Sequence, residues 1–429
     1  MGRIVSCFYM PHPPLIVDGI GTARDATLTK KSYQYFKNKI SMIDYDTTII
    51  ISPHAKNYKD VFYFENSNKA YGDFSDFVPF LKDYEYTYDT ELSNTIYAEA
   101  LKNQINCDIA KKPFIKLDHG SLVPLSFTDS KKIVIIPTSG LSKKDHFLLG
   151  SVINDIIKKT NRRVLLICSG DLSHNSTTWF DLLIKESFEK LNFNKLLSLD
   201  ESSLDNVHQC GYYPMVILLG IIDHYKITTN SLSYESPFKV GYYCCEIILN
   251  NENVHNNFIS SLVEKPKSKY VILAKQAVEN YIMNKNPINY LRSSIQNGVF
   301  VTIKKLGKLR GCIGTILPTK YSIEEEIYTN AITACSQDNR FTRINENELE
   351  YLEYDVDVLN PPTPVFDTSE LNPKKYGVIV RSGYKQGVLL PDLDGVNTPR
   401  KQIDIAKQKA NIRDGEEITI SKFTITRYY

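Results

Sequence analysis

The chain has 429 residues, more than one hydrophobic core normally serves, so two domains are expected. Its 51 basic and 49 acidic residues leave a formal charge of +2, which gives no field that would favour nucleic acid or a membrane surface as partner. No run approaches the ~20 apolar residues of a membrane helix. The start lacks the apolar core of a secretory leader, and the 8 cysteines are scattered without a CxxC pair. A cytoplasmic protein without structural disulfides is the expectation.

Ile4 to Ile16 reads IVSCFYMPHPPLI, an apolar strand stopped by Pro-His-Pro-Pro. Pro11, Pro13 and Pro14 stiffen the turn, and His12 stands at the strand's carboxyl end, where open α/β sheets bind ligands. A histidine between prolines means little alone. The pattern returns in Thr47 to Pro53 (TTIIISP), followed at once by His54. Two strands ending in Pro-His point to a shared site. Residues 60–88 are rich in aromatics, suited to strands and loops that roof a pocket, and Glu91 to Lys102 has helical spacing.

FIKLDHGSLVP, from Phe114 to Pro124, places Asp118, His119 and Gly120 in a turn. KIVIIP (132–137) and VLLIC (164–168) are buried strands, with a helix over 148–158 between them. The second strand ends in SGDLSH, which brings Asp171 and His174 to another strand end. Residues 180–197 read as one helix, and CGYYP, starting at Cys210, precedes an apolar helix over 215–222. A helix N-terminus favours the thiolate, the form that binds metal. Two strands in 231–250 close the domain. Strands alternating with helices predict an α/β domain with a central sheet flanked by helices. His146, His208, His224 and His255 lack this context and read as surface or packing residues; Cys7, Cys168, Cys244 and Cys245 read as core thiols. Two imidazoles and one anionic donor form an open transition-metal site, and further histidines titrate near neutrality as acid or base.

In this order PHPP, SPHA, the DHG turn, SGDLSH, CGYYP and VGYYCCEI resemble the Memo-type proteins, relatives of the class III extradiol dioxygenases in the LigB superfamily. The resemblance spans about residues 1 to 250, within a first domain taken as 1–262. It implies an α/β fold with a metal at one end of the sheet. It also implies His12, His54 and Cys210 as metal ligands, and His174, His119 and Asp171 as catalytic or supporting groups. Ring-cleaving relatives use glutamate as the third ligand; the cysteine here is softer and suits copper or zinc as well as iron(II), the first expectation. Glu235 is the backup carboxylate, ahead of Glu246.

Asn250 to Lys269 is polar and contains Pro266, so the boundary falls near residue 265. Beyond it come a helix over 270–283, a strand over 298–303 and a hairpin at Gly307-Lys308. LRGCIG (309–314) then leads to a helix over 323–335, a strand over 354–359 and a hairpin around Gly383. A helix over 398–410 and a last strand over 418–426 end the chain. Within LRGCIG, Arg310 could hold an anion and Cys312 act as a thiol in a groove; the competing reading is a tightly packed hairpin with a buried cysteine. LRGCIG, the NAITA helix ending in DNRF, YDVDVLNPP and GVLLP resemble the AMMECR domain over 268–429. That resemblance implies an α+β fold with an antiparallel sheet. Where many relatives carry a late-helix cysteine, this chain has Lys407.

The expected function is a metal-dependent, dioxygenase-like oxidoreductase acting on an unidentified small molecule, with an AMMECR accessory domain. Fusions of these types belong to AmmeMemoRadiSam-type systems, so a separate radical-SAM protein is the implied partner; nucleic acid and membrane are not expected. No residue is assigned to an organic cofactor. The competing reading is a non-catalytic metal-binding or scaffold protein that keeps the pocket.

Overall fold

The computed structural model describes residues 2–79, 81–175, 177–254, 256, 258–263, 265–393 and 395–429. His255 therefore lies outside the described residues. The chain divides into two units, Met1–Leu262 and Val263–Tyr429. None of its described helices is long and apolar enough to cross a membrane.

The first unit runs β1 (Arg3–Met10), α1 (Thr27–Ile40), β2 (Thr47–Ser52), β3 (Phe62–Asn66), β4 (Lys69–Asp73), β5 (Asp83–Tyr88) and α2 (Thr90–Lys102). It continues with β6 (Cys107–Lys111), β7 (Ile115–Lys116), α3 (His119–Leu125), β8 (Lys132–Pro137), α4 (Lys143–Lys159) and β9 (Arg163–Ser169). It closes with α5 (Thr178–Glu189), α6 (Phe193–Leu197), α7 (Tyr212–Ile222), β10 (Tyr225–Glu235) and β11 (Tyr242–Asn253). Nine strands form one mixed sheet in the order β10-β11-β1-β9-β2-β8-β5-β4-β7.

Its centre is parallel: β1 pairs with β9, β9 with β2, and β2 with β8. TTIIIS and RVLLICS are buried almost throughout, with apolar centres, because both of their faces are covered. On one face Phe8, Ile50, Ile135 and Leu165 pack with Tyr33 and Phe36 of α1. Helices α4 and α7 pack against each other, and α7 also meets β2 and β9. The helix expected over 180–197 is two, α5 and α6, because Leu191 between them takes a left-handed φ of 53°.

The second unit carries two four-stranded antiparallel sheets. The first orders β13 (Lys308–Gly314), β12 (Val299–Lys305), β14 (Leu352–Leu359) and β19 (Ile425–Tyr428). Its apolar face, with Val301, Ile303 and Val356, is covered by α8 (Lys269–Ile282) and α9 (Ile323–Ser336). The second orders β15 (Thr363–Val365), β18 (Thr419–Phe423), β16 (Gly377–Ser382) and β17 (Lys385–Leu389), beneath α10 (Pro399–Lys409). The single last strand read from the sequence is divided at Thr424, and its halves join different sheets.

Candidate metal centre

Three adjacent parallel strands, β1, β9 and β2, end side by side, and each delivers a polar group just beyond its last residue. His12 follows β1, Asp171 follows β9 and His54 follows β2. Asp118 brings the fourth group. Its carboxylate caps α3 by accepting the Ser121 amide at 2.9 Å, and it takes the Ser52 hydroxyl from the end of β2 at 2.7 Å. His119, the first residue of α3, is thereby held against His54, with ring centroids 4.3 Å apart and planes stacked at 28°. The turn expected at Asp118-His119-Gly120 is thus a helix start.

His12 Nε2 and His54 Nε2 lie 3.1 Å apart. The ligand nitrogens of His12, His54 and His119 all fall within 4.8 Å of one another. Burial, reinforced by the neighbouring imidazoles, holds the His12 pKa well below its ordinary value. His54, His119 and His174 are shifted the same way, burial again being the largest cause. Neutral rings with bare nitrogens are the state that coordinates metal.

Cys210, two residues before α7, reaches His12 from another side. Its sulfur is 3.6 Å from His12 Nε2 and 3.8 Å from Nε2 of the exposed His174. The Asp171 amide donates to that sulfur at 3.3 Å. The helix start does not bring the thiol pKa down: burial, then the Asp171 carboxylate, raises it well above normal. Asp171 accepts the His12 amide at 2.8 Å, and burial pushes its own pKa up to about 7. The suggested backup carboxylates have other work. Glu235 accepts the Thr29 amide at 2.6 Å in the first turn of α1, and Glu246 binds the Tyr35 hydroxyl at 2.6 Å. His146 is a fully buried packing residue, and His208 is exposed.

In the second unit, Arg310 is buried, and its guanidinium forks onto Glu348 through two contacts of 2.9 Å. A third donor goes to the Thr342 carbonyl at 2.8 Å. These bonds take up the guanidinium, so the expectation that it holds an outside anion gives way to a packed hairpin. Cys312 is part-buried, with Thr302 Oγ1 3.2 Å from its sulfur, and burial raises its pKa. The cation bonded beside it is Arg340, which donates to the Cys312 carbonyl at 3.0 Å and pairs with Asp338. Lys407 is paired with Asp414 at 2.7 Å.

Residues 6–244 match the family described as the catalytic LigB subunit of aromatic ring-opening dioxygenase, and residues 271–429 match AMMECR1. The chain belongs to the LigB family and is fused to an AMMECR1 domain. A Clostridium acetobutylicum protein is 32% identical over 465 aligned residues, covering 98% of both chains, so the two-domain arrangement is shared. A Thermotoga maritima protein is 46% identical over 37% of this chain and 96% of its own. A solved structure of a Pyrococcus horikoshii protein covers 37% of this chain and 88% of its own at 25% identity, with a TM-score of 0.34.

Two cavities, of about 220 Å³ and about 460 Å³, open beside the imidazoles of the LigB domain, and His54, Lys116 and Asp118 line both. Tyr63 and Tyr88 wall the smaller one and Phe77 the larger, so the aromatic segment does border the site. Ser169 and Asp118 stand inside the SGDLSH and DHG motifs, but no role follows for them from the motifs alone, and Lys116 lies in no motif. Asp118 carries a further signal, an aspartate three residues before Ser121 at a helix start.

Proposed function

We propose that the LigB domain is a metal-dependent oxidoreductase of the dioxygenase-like type, acting on a small molecule. The observation that carries this reading is the pair of histidine Nε2 atoms 3.1 Å apart at neighbouring strand ends. Two nitrogens that face each other this closely must share a proton or a cation. His12 and His54 would hold the metal, and Cys210 would supply the anionic donor. Iron(II) is our first assignment, with copper or zinc as alternatives, because a sulfur among imidazoles accepts all three.

Bound there, iron(II) would supply a place where dioxygen and an oxidisable substrate are activated together. The chain's own groups then have separate tasks. Substrate would enter through the cavities lined by His54 and Lys116, with His119 and Phe77 orienting it; their rings are 6.1 Å apart. His174, exposed and 3.8 Å from the Cys210 sulfur, would carry the thiol proton to solvent. Asp171 titrates close to neutral pH and lies 3.8 Å from His12 Nε2, so it would hold or release a proton beside the centre. The separate radical-SAM partner belongs to the same proposal on the strength of the family resemblance, and co-purification from cells expressing both tests it.

A second reading, a metal-binding or scaffold protein without turnover, is favoured by the third imidazole. If His119 joins His12, His54 and Cys210, four donors close the site, as in structural zinc centres. Elemental analysis of anaerobically purified protein, followed by oxygen uptake with aromatic diols and other small reductants, separates the two. His12→Ala and His54→Ala should lose the metal while His208→Asn keeps it. Equal retention by all three would sink the centre. Stoichiometric iron without oxygen uptake on any aromatic diol would remove the ring-cleaving version.

A further inference from the structure

Leu291, Ile295, Leu317 and Tyr321 of the AMMECR1 domain are 94%, 51%, 55% and 85% exposed. They lie on two irregular segments, residues 285–298 between α8 and β12 and residues 315–322 between β13 and α9. The segments run side by side. The Ile323 amide donates to the Ile295 carbonyl at 2.7 Å, and the Thr315 amide to the Val299 carbonyl at 2.9 Å. The Gln296 side chain donates to the Tyr321 carbonyl at 3.3 Å. Single apolar residues scattered over a surface are ordinary, but four on one ribbon make a patch.

Two buried carboxylates hold the ribbon from beneath. Glu324 accepts the Ser293 amide and hydroxyl, each at 2.9 Å. Glu326 accepts the Thr315 and Thr319 hydroxyls at 2.6 Å and 2.9 Å, and the Thr319 and Lys320 amides at 2.8 Å and 2.9 Å. Both acids are thus turned inward and spent on neutral donors. The cations are not. Arg292 follows Leu291, Lys320 precedes Tyr321, and neither pairs with a carboxylate among the described residues. Arg292 instead lies over the Tyr290 ring, 6.0 Å from its centroid.

An apolar ribbon flanked by unpaired cations selects its occupant by charge. A second copy of the chain would set the same cations against each other. A protein partner needs a surface it can pack against closely, whereas Leu291 and Tyr321 stand out almost fully as separate tips. A bilayer surface takes such tips without a matching shape. Apolar ends enter the acyl boundary, a tyrosine ring suits the headgroup level, and Arg and Lys meet anionic headgroups. The whole chain, at +2, supplies no such field; Arg292 and Lys320 supply it locally.

We propose that this ribbon docks the AMMECR1 domain on an anionic lipid surface. Leu291, Ile295, Leu317 and Tyr321 insert, and Arg292 and Lys320 bind the headgroup phosphates. The inference does not depend on the metal centre of the LigB domain.

Sedimentation of the full-length protein with sucrose-loaded vesicles tests this. Wild type should pellet with vesicles of phosphatidylcholine and phosphatidylglycerol in equal parts, and stay in solution with phosphatidylcholine alone. Leu291→Ser combined with Tyr321→Ser should stay in solution with both. Arg292→Gln and Lys320→Gln should each bind the mixed vesicles about five-fold more weakly. Met42→Ser, which removes an exposed apolar side chain from the LigB domain, should bind as wild type does. Melting temperatures equal to wild type establish that the variants fold. Wild type that pellets with neither vesicle, or equally with both, would overturn the proposal. Unchanged binding by the Leu291→Ser, Tyr321→Ser protein would overturn it too, since the lipid would then be held elsewhere. Self-association that this double variant loses, without vesicle binding by wild type, would overturn it in favour of a contact between proteins.

Discussion

The Ser169 hydroxyl decides which nitrogen His12 turns toward the centre. Its oxygen lies 2.6 Å from the Gly120 carbonyl and 2.9 Å from His12 Nδ1. A carbonyl only accepts, so the serine proton goes to Gly120 and His12 must donate from Nδ1. That leaves His12 Nε2 bare, 3.1 Å from His54 Nε2. The Gly120 carbonyl is available because Pro124, four residues further along α3, has no N–H to give it. Ser169→Ala should therefore weaken metal binding about 10- to 100-fold, as loss of an outer partner to a ligating histidine does. Competition against a chelator of known affinity measures this; wild-type affinity in the variant would show that the serine does not set the ring.

Much of this could be read from the chain. The strands before His12 and His54 were legible because each is an apolar run cut by proline, and proline cannot continue a ladder. Asp171 and His174 were legible because VLLIC is likewise an apolar run, ended here by Ser-Gly rather than by proline. The Ser169–Gly120 link was not, since it joins residues 49 apart and depends on a helical proline whose effect appears only once β9 lies beside α3. That proline also disguised α3 as a turn. LRGCIG misled in the opposite way. A hexapeptide shows the cation at Arg310, but its carboxylate comes from Glu348, 38 residues on.

Arg310 and Glu348 form a buried, forked pair in the AMMECR1 domain, and Glu348 also accepts the Asn345 amide at 3.2 Å. Breaking the pair from the arginine side leaves Glu348 with Lys305, 3.7 Å away, as its remaining cation. Arg310→Ala should therefore cost about 3 kcal/mol of that domain's stability, the low end of what losing one partner of a buried pair costs. Arg310→Lys should recover only part, because one ammonium cannot reproduce the fork. Denaturant unfolding gives the values. Sulfate or phosphate should bind wild type and Arg310→Lys alike; selective loss of anion binding in the lysine variant would restore the anion-holding role.

Gly150 of α4 and Gly220 of α7 let two helix backbones touch. A Cβ on Gly220 would lie 2.1 Å from the Phe147 carbonyl oxygen, and one on Gly150 would lie 2.1 Å from that of Ile217. Backbone cannot yield as a side-chain tip can, so Gly220→Ala should force the helices apart and cost about 1–3 kcal/mol despite alanine's better helix propensity. A higher unfolding midpoint for the variant would contradict this packing.

His146 sets an acid limit on the LigB domain. In the first turn of α4 its Nδ1–H donates to the Ser142 carbonyl at 2.9 Å, while its bare Nε2 accepts the Ser139 amide at 3.2 Å. Its ring is stacked on Tyr213, with centroids 4.4 Å apart. A second ring proton would face the Ser139 N–H, inside a helix N-terminus that already repels cations. Burial lowers its pKa to about 4, against about 6.5 in the unfolded chain. Above pH ~6.5 both states are neutral at this site, so it adds no pH dependence. Between ~6.5 and ~4 the unfolded state binds the extra proton, so stability is lost as pH falls, by about 3 kcal/mol at the lower end. His146→Gln keeps an acceptor for Ser139 but cannot titrate. Unfolding free energies at pH 7 and pH 4 should show wild type losing about 3 kcal/mol more than the variant over that interval. Parallel losses in the two proteins would mean that the ring is protonated in the folded state.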